Sequence, residues 1–149
     1  MSTTANETKR YFSVEEANGM IPTLEIVFGR LLQINTQIRA VYRRLADAGY
    51  APSQEDFVLA PRGASQQVIN ELASLRTLID ALKDQIAELQ RAGCVVKDID
   101  RGLVDWYAYE GGREIFLCWE LGEKQINYWH EIDAGYAGRR PVSELHDSV

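Results

Sequence analysis

Leu103-Val104-Asp105-Trp106-Tyr107-Ala108-Tyr109-Glu110-Gly111-Gly112-Arg113-Glu114-Ile115-Phe116-Leu117-Cys118-Trp119-Glu120 is the stretch on which the fold turns. Apolar residues recur at every second position on either side of a diglycine. Such a pair supplies the positive-φ turn that closes a hairpin between right-twisted strands. The reading is strand, tight turn, strand over Leu103–Glu110 and Arg113–Leu121, with Tyr109 opposite Glu114 and Asp105 opposite Cys118. Downstream, Gly122-Glu123-Lys124 marks another turn and Ile126–Ile132 a further strand, while Cys94–Ile99 reads as a short strand upstream. Centring the later turn on Glu123-Lys124 pairs Leu121 with Ile126, Cys118 with Trp129 and Leu117 with His130.

These registers divide the side chains between two faces, because strand residues alternate. Val104, Trp106, Ala108, Ile115, Leu117, Trp119, Leu121, Ile126, Tyr128, His130 and Ile132 form a nearly apolar face that packs on helices. The other carries Leu103, Asp105, Tyr107, Tyr109, Phe116, Cys118, Glu120, Asn127, Trp129 and Glu131. Four aromatic rings around Asp105 and Cys118 do not suit a solvated surface, so either another subunit covers this face or it lines a pocket.

The helices lie toward the N-terminus. Gly93 stops a helix whose apolar residues Val68, Leu72, Leu75, Ile79, Leu82, Ile86 and Leu89 alternate in steps of four and three. Leu24, Val27, Leu31, Ile34, Ile38, Val41 and Leu45 repeat the pattern earlier. Two seams of equal length satisfy one another as an antiparallel hairpin, joined through Gly49–Ala64 with Pro52, Pro61 and Gly63. Before them, Ser13-Val14-Glu15-Glu16 is a capping box that starts a short helix near Val14, and Pro22 suits the first turn of the next.

The expected class is therefore α+β: a long, coiled-coil-like antiparallel helical hairpin followed by a small antiparallel β-sheet. One domain over 1–149 is expected. It comprises a disordered start at 1–10, a short and a long helix over 11–48, the second long helix over 65–92, a sheet over 94–133 and a C-terminal loop over 134–149. The size fits one core, with 149 residues and 46% of them apolar.

Composition excludes several classes. A net charge of −6 argues against a general nucleic-acid binder, which needs a basic face. From Cys94 onward six Lys/Arg stand against eleven Asp/Glu, so an ionic ligand of this half is more easily a cation than a polyanion. The opening MSTTANETKR has no signal-peptide core, and no segment has the roughly 18 apolar residues of a membrane span. Two cysteines without CxxC spacing are expected to be reduced thiols, which places the chain in a cytoplasm.

From Gly102 onward the chain resembles a known family. Gly102-Leu103-Val104-Asp105, Gly112-Arg113-Glu114, Leu117-Cys118-Trp119, Leu121-Gly122-Glu123, Tyr128-Trp129-His130 and Gly135-Tyr136-Ala137-Gly138-Arg139-Arg140-Pro141 follow the order of its C-terminal signature. The opening Tyr11-Phe12-Ser13-Val14-Glu15-Glu16-Ala17-Asn18 is similar to its N-terminal one. The family is the bacterial domain of unknown function 2203, and the resemblance covers nearly the whole chain. Trp106-Tyr107 stands where the family pattern has Phe-Pro. The resemblance implies a fold and a bacterial-type cytoplasmic setting but no activity.

Candidate chemistry centres on the sheet and the loop after it. His130, Asp105 and Asp133 are the possible metal ligands, although alternation points His130 and Glu131 apart and no second histidine stands at helical spacing. Cys118 is a possible nucleophile with His130 as base, yet the register above sets them on opposite faces, so a buried structural cysteine is the expectation. Asp133–Pro141 joins glycines to Arg139 and Arg140, whose guanidinium forks suit an anion or an acidic side chain of this or a partner chain. The leading reading is a non-catalytic scaffold, working as a homodimer or with an unidentified protein partner, with no cofactor. The alternative is a small-ligand (anion) or metal-binding domain, possibly an enzyme, built on Asp105, Cys118, Trp129, His130, Glu131, Arg139 and Arg140. A closed, polar-lined pocket near Asp105 favours the alternative; a flat apolar surface favours the scaffold.

Overall fold

Ser13 begins the ordered architecture as the capping box requires. Its hydroxyl accepts from the Glu16 amide at 3.0 Å, and the Glu16 carboxylate accepts from the Ser13 amide at 2.9 Å. The helix so capped, α1 (Val14–Asn18), is followed by α2 (Ile21–Asp47) and α3 (Gln66–Arg91), and then by strands β1 (Val95–Asp98), β2 (Leu103–Glu110), β3 (Arg113–Glu120), β4 (Tyr128–Glu131) and β5 (Arg140–Pro141). The computed structural model of the chain describes residues 9–53 and 57–146. Most of the predicted disordered start, part of the predicted α2–α3 connection and the last three residues lie outside the described residues. Among those described, no helix is long and apolar enough to cross a membrane.

The chain divides into two compact units, one of Gly29–Ile86 and the other of the residues on either side of it. In the Gly29–Ile86 unit the helical hairpin closes on Val41 and Leu45 of α2 and Leu72 and Leu75 of α3, all buried. Ile38, Tyr50, Phe57, Val68, Leu78 and Ile79 pack around them. Alternating three- and four-residue steps keep these side chains on one stripe of each helix, and each leucine so buried stabilises by about 1.5–3 kcal/mol. Arg44 crosses from α2 to Glu71 of α3, with contacts at 2.6 and 2.9 Å.

The other unit is organised by an antiparallel sheet in the order β1-β2-β3-β4-β5. Its inner face buries Val104, Trp106, Ala108, Ile115, Leu117 and Trp119 completely. Phe28, from the first turns of α2, meets Trp119 at a ring separation of 6.2 Å, and Phe12 meets Trp106 at 6.5 Å. The β2–β3 register is the predicted one, with Tyr109 opposite Glu114 and Asp105 opposite Cys118.

The β3–β4 register differs by one residue. Cys118 pairs with Tyr128, Leu117 with Trp129 and Phe116 with His130. The predicted tight turn is instead a loop, Leu121–Asn127, whose path is set by bonds that include the following. The Trp119 indole donates to the Glu123 carbonyl at 2.9 Å, the Glu120 amide donates to the Glu123 carboxylate at 2.8 Å, and the Ile126 amide donates to the Asn18 side chain at 2.6 Å. With the strands thus displaced, every β4 side chain changes face. Tyr128 and His130 join Asp105 and Cys118, while Trp129 moves to the inner face. Beyond Glu131 the predicted loop contains a 3₁₀ turn (Tyr136–Gly138), β5 and a second 3₁₀ turn (Val142–Glu144).

Candidate functional site

Alternation along β2 and β3 places Asp105 and Cys118 opposite one another on the outer face, and the displaced register of β4 adds His130. All three are buried, at 2%, 2% and 1% exposure. One ligand-type atom from each, a carboxylate oxygen, the sulfur and a ring nitrogen, lies within 4.8 Å of the other two. The chain itself provides the cover. Tyr136, at the start of the 3₁₀ turn, donates its hydroxyl proton to Glu120 at 2.9 Å. Its ring is flanked by the guanidinium groups of Arg101 at 4.1 Å and Arg139 at 4.7 Å. Toward the other end of the face, Tyr11 stacks on Tyr109 at 4.3 Å and meets Tyr107 edge-on at 6.3 Å. Tyr11 also donates its hydroxyl to Glu114, which Lys9 contacts at 3.1 Å.

Between Tyr136 and the sheet is a cavity of about 140 Å³ lined by Lys97, Leu103, Asp105, Cys118, His130, Gly135 and Tyr136. Lys97 sits at a bulge in β1, between Val96 and Asp98, which pair with Val104 and Leu103. Its ammonium lies 3.4 Å from the Asp105 carboxylate and 4.4 Å from the centre of the Phe116 ring.

The hydrogen bonds of His130 fix its protons. Nδ1 is 2.7 Å from the Glu131 carbonyl oxygen, which only accepts, so Nδ1 carries hydrogen. Nε2 is 2.9 Å from Asp105 Oδ2. Burial pulls the imidazolium downward, but the bonds to Asp105 and Glu131 outweigh it and the net shift is upward. One proton shared between Nε2 and Asp105 Oδ2 closes a buried pair that the Lys97 ammonium also contacts. Burial, helped by the charge of Asp105, pushes the Cys118 thiol up to about 12. At neutral pH this sulfur is a protonated thiol and not an activated nucleophile.

The remaining predicted candidates are elsewhere. Trp129, on the inner face, has Arg140 and Arg113 at 5.3 and 5.9 Å from its ring centre. Glu131 binds Arg113 at 2.7 and 3.2 Å, and Asp133 is exposed outside the cluster. Arg139 contacts both carboxylate oxygens of Glu123 at 2.8 Å and stacks on Tyr128 at 4.1 Å, while Arg140 pairs with Glu144 at 2.8 Å. The sequence reading set Cys118 and His130 on opposite faces; the one-residue displacement corrects this and brings them together. It also missed Lys97 and Tyr136. A lone lysine in the apolar start of Val95-Val96-Lys97-Asp98 and a tyrosine between two glycines were the available signals.

The site has the donor set of a borderline metal ion such as zinc: one sulfur, one imidazole nitrogen and one carboxylate oxygen. Tetrahedral ligand separations of about 3.3–3.6 Å follow from zinc bond lengths of ~2.0–2.3 Å. The cluster needs side-chain adjustments on the order of an ångström to reach them. The Nδ1–H bond to the Glu131 carbonyl is the outer bond that orients a ligating histidine, leaving Nε2 for the ion.

A family model described as "Uncharacterized conserved protein (DUF2203)" matches residues 10–142. No curated protein and no solved structure matches the chain.

Proposed function

We propose, from the premise that this chain belongs to the DUF2203 family, that it is a metal-binding domain whose centre is Asp105, Cys118 and His130. The observation that carries the reading is the convergence of three chemically different ligand atoms within 4.8 Å on a buried sheet face. A purely structural ion pair needs Asp105 and His130 but not a sulfur beside them. Charge bookkeeping is also favourable. A divalent ion that replaces the Nε2 and Sγ protons leaves the site's net charge unchanged, so loading adds no uncompensated buried charge. A reducing compartment such as the cytoplasm suits a centre that needs Cys118 as a free thiol.

The scaffold reading, a homodimer joined through its helical faces as in a coiled coil, rests on the heptad seams. Part of its other expected contact surface, the aromatic sheet face, lies under this chain's own Tyr11 and Tyr136, while Tyr109 stays 42% exposed. That cover favours the metal reading.

The test is native mass spectrometry of the full chain after incubation with zinc and removal of excess metal. One zinc per chain is expected for wild type and for Cys94→Ser, and none for Cys118→Ser or His130→Ala. Zinc-free wild type, or equal retention by both site variants, would overturn the proposal.

A further inference from the structure

The three ligands occupy one wall of the cavity, which is partly open to solvent, so the remaining coordination position of the ion faces free space and not packed protein. We infer that this space admits a short monocarboxylate, bound to the metal through its carboxylate and paired with the Lys97 ammonium; the inference rests on the metal reading above.

Size and charge both select the ligand. At roughly 30 Å³ per water molecule, about 140 Å³ holds four or five waters, which suits a carboxylate with one or two carbons attached. Loaded with a divalent ion, the thiolate of Cys118 and the carboxylate of Asp105 cancel the ion's charge, and neutral His130 adds none. Lys97, 3.4 Å from Asp105, then leaves a surplus of one positive charge at the cavity wall. One monoanion neutralises it, whereas a dianion overshoots in a partly desolvated space. Arg101 and Arg139 do not change this count, because Glu120 and Glu123 neutralise them. The remaining walls, Leu103, Gly135 and the ring of Tyr136, are apolar or uncharged and suit a short alkyl group. Coordination of the carboxylate to the metal needs no further partner, since its oxygen supplies the missing ligand.

The experiment uses the full chain loaded with cobalt(II), whose visible absorption reports its ligands. Stoichiometry is measured first, and sodium acetate is then titrated at constant ionic strength. A saturable spectral change is expected. Its dissociation constant should rise at least tenfold in Lys97→Met, and the change should vanish in Leu103→Phe, which fills the cavity without altering its charge. Phosphate should bind more weakly than acetate. Cobalt bound at one per chain with no response to acetate would sink the anion proposal and leave the metal centre standing. An equal acetate affinity in Lys97→Met, or tighter binding of phosphate, would refute the charge argument. Failure of wild type to bind cobalt would remove the metal reading and this inference with it.

Discussion

Replacing Gly102 with alanine is the sharpest test of how the strand ends around the site are assembled. Gly102 has φ = +70°, in the left-handed region that costs an L-residue about 1–2 kcal/mol. A Cβ there would meet Leu121 Cβ at 2.5 Å, close to the backbone rather than at the end of a flexible side chain. The Leu121 amide also donates to the Gly102 carbonyl at 2.9 Å, so the two segments cannot separate without losing that bond. Overpacking of this kind costs about 1–3 kcal/mol, which makes the expected total about 2–5 kcal/mol. Gly112 supplies the control. Its φ is +81°, but a Cβ there meets nothing within 4 Å, so Gly112→Ala should cost only the conformational part, about 1–2 kcal/mol. Both variants are compared with wild type by urea unfolding at 25 °C, followed through the fluorescence of the three tryptophans. Equal losses for the two variants would show that Gly102 and Leu121 are not in contact and that the β1–β2 turn is placed wrongly.

Three further outcomes follow from other contacts. Asn18→Ala removes the acceptor of the Ile126 amide and should cost about 1–3 kcal/mol while speeding hydrogen exchange at that amide; unchanged exchange would contradict the loop that sets the β4 register. The hydrogen bond from Arg44 lowers the Glu71 carboxyl below its usual range. Its stabilising contribution is therefore complete above the unfolded value near ~4.3 and is lost as pH falls through the folded one. The stability gap between wild type and Glu71→Gln should accordingly narrow on acidification from neutrality, and a gap independent of pH would count against the pair. Burial pushes the Cys94 thiol up to about 11, so in the Cys118→Ser chain iodoacetamide should modify native Cys94 far more slowly than a small free thiol. A matching rate would mean that Cys94 is not enclosed.

Local pattern was enough for much of this protein. The Ser13/Glu16 cap, the extents of α2 and α3 within a residue or two, and the whole of β2 follow from capping chemistry and periodicity acting over a few neighbours. The Gly111-Gly112 hairpin belongs with them, because a two-residue turn fixes register by itself. The same information assigned Asp105 and Cys118 to one face. What it did not contain was the conformation of Leu121–Asn127, which depends on Asn18, 108 residues earlier, and on the Trp119 indole closing over Glu123. A single residue of displacement decides which side of the sheet His130 occupies, since strand side chains alternate with a period of two. The cover has the same origin: Lys97 and Tyr136 reach Asp105's face from β1 and from a 3₁₀ turn that are far apart in the chain. Sequence determined the helices, the first three strands and one hairpin register because those are local equilibria. The tertiary structure decided the site because its geometry depends on long-range bonds that no short window contains.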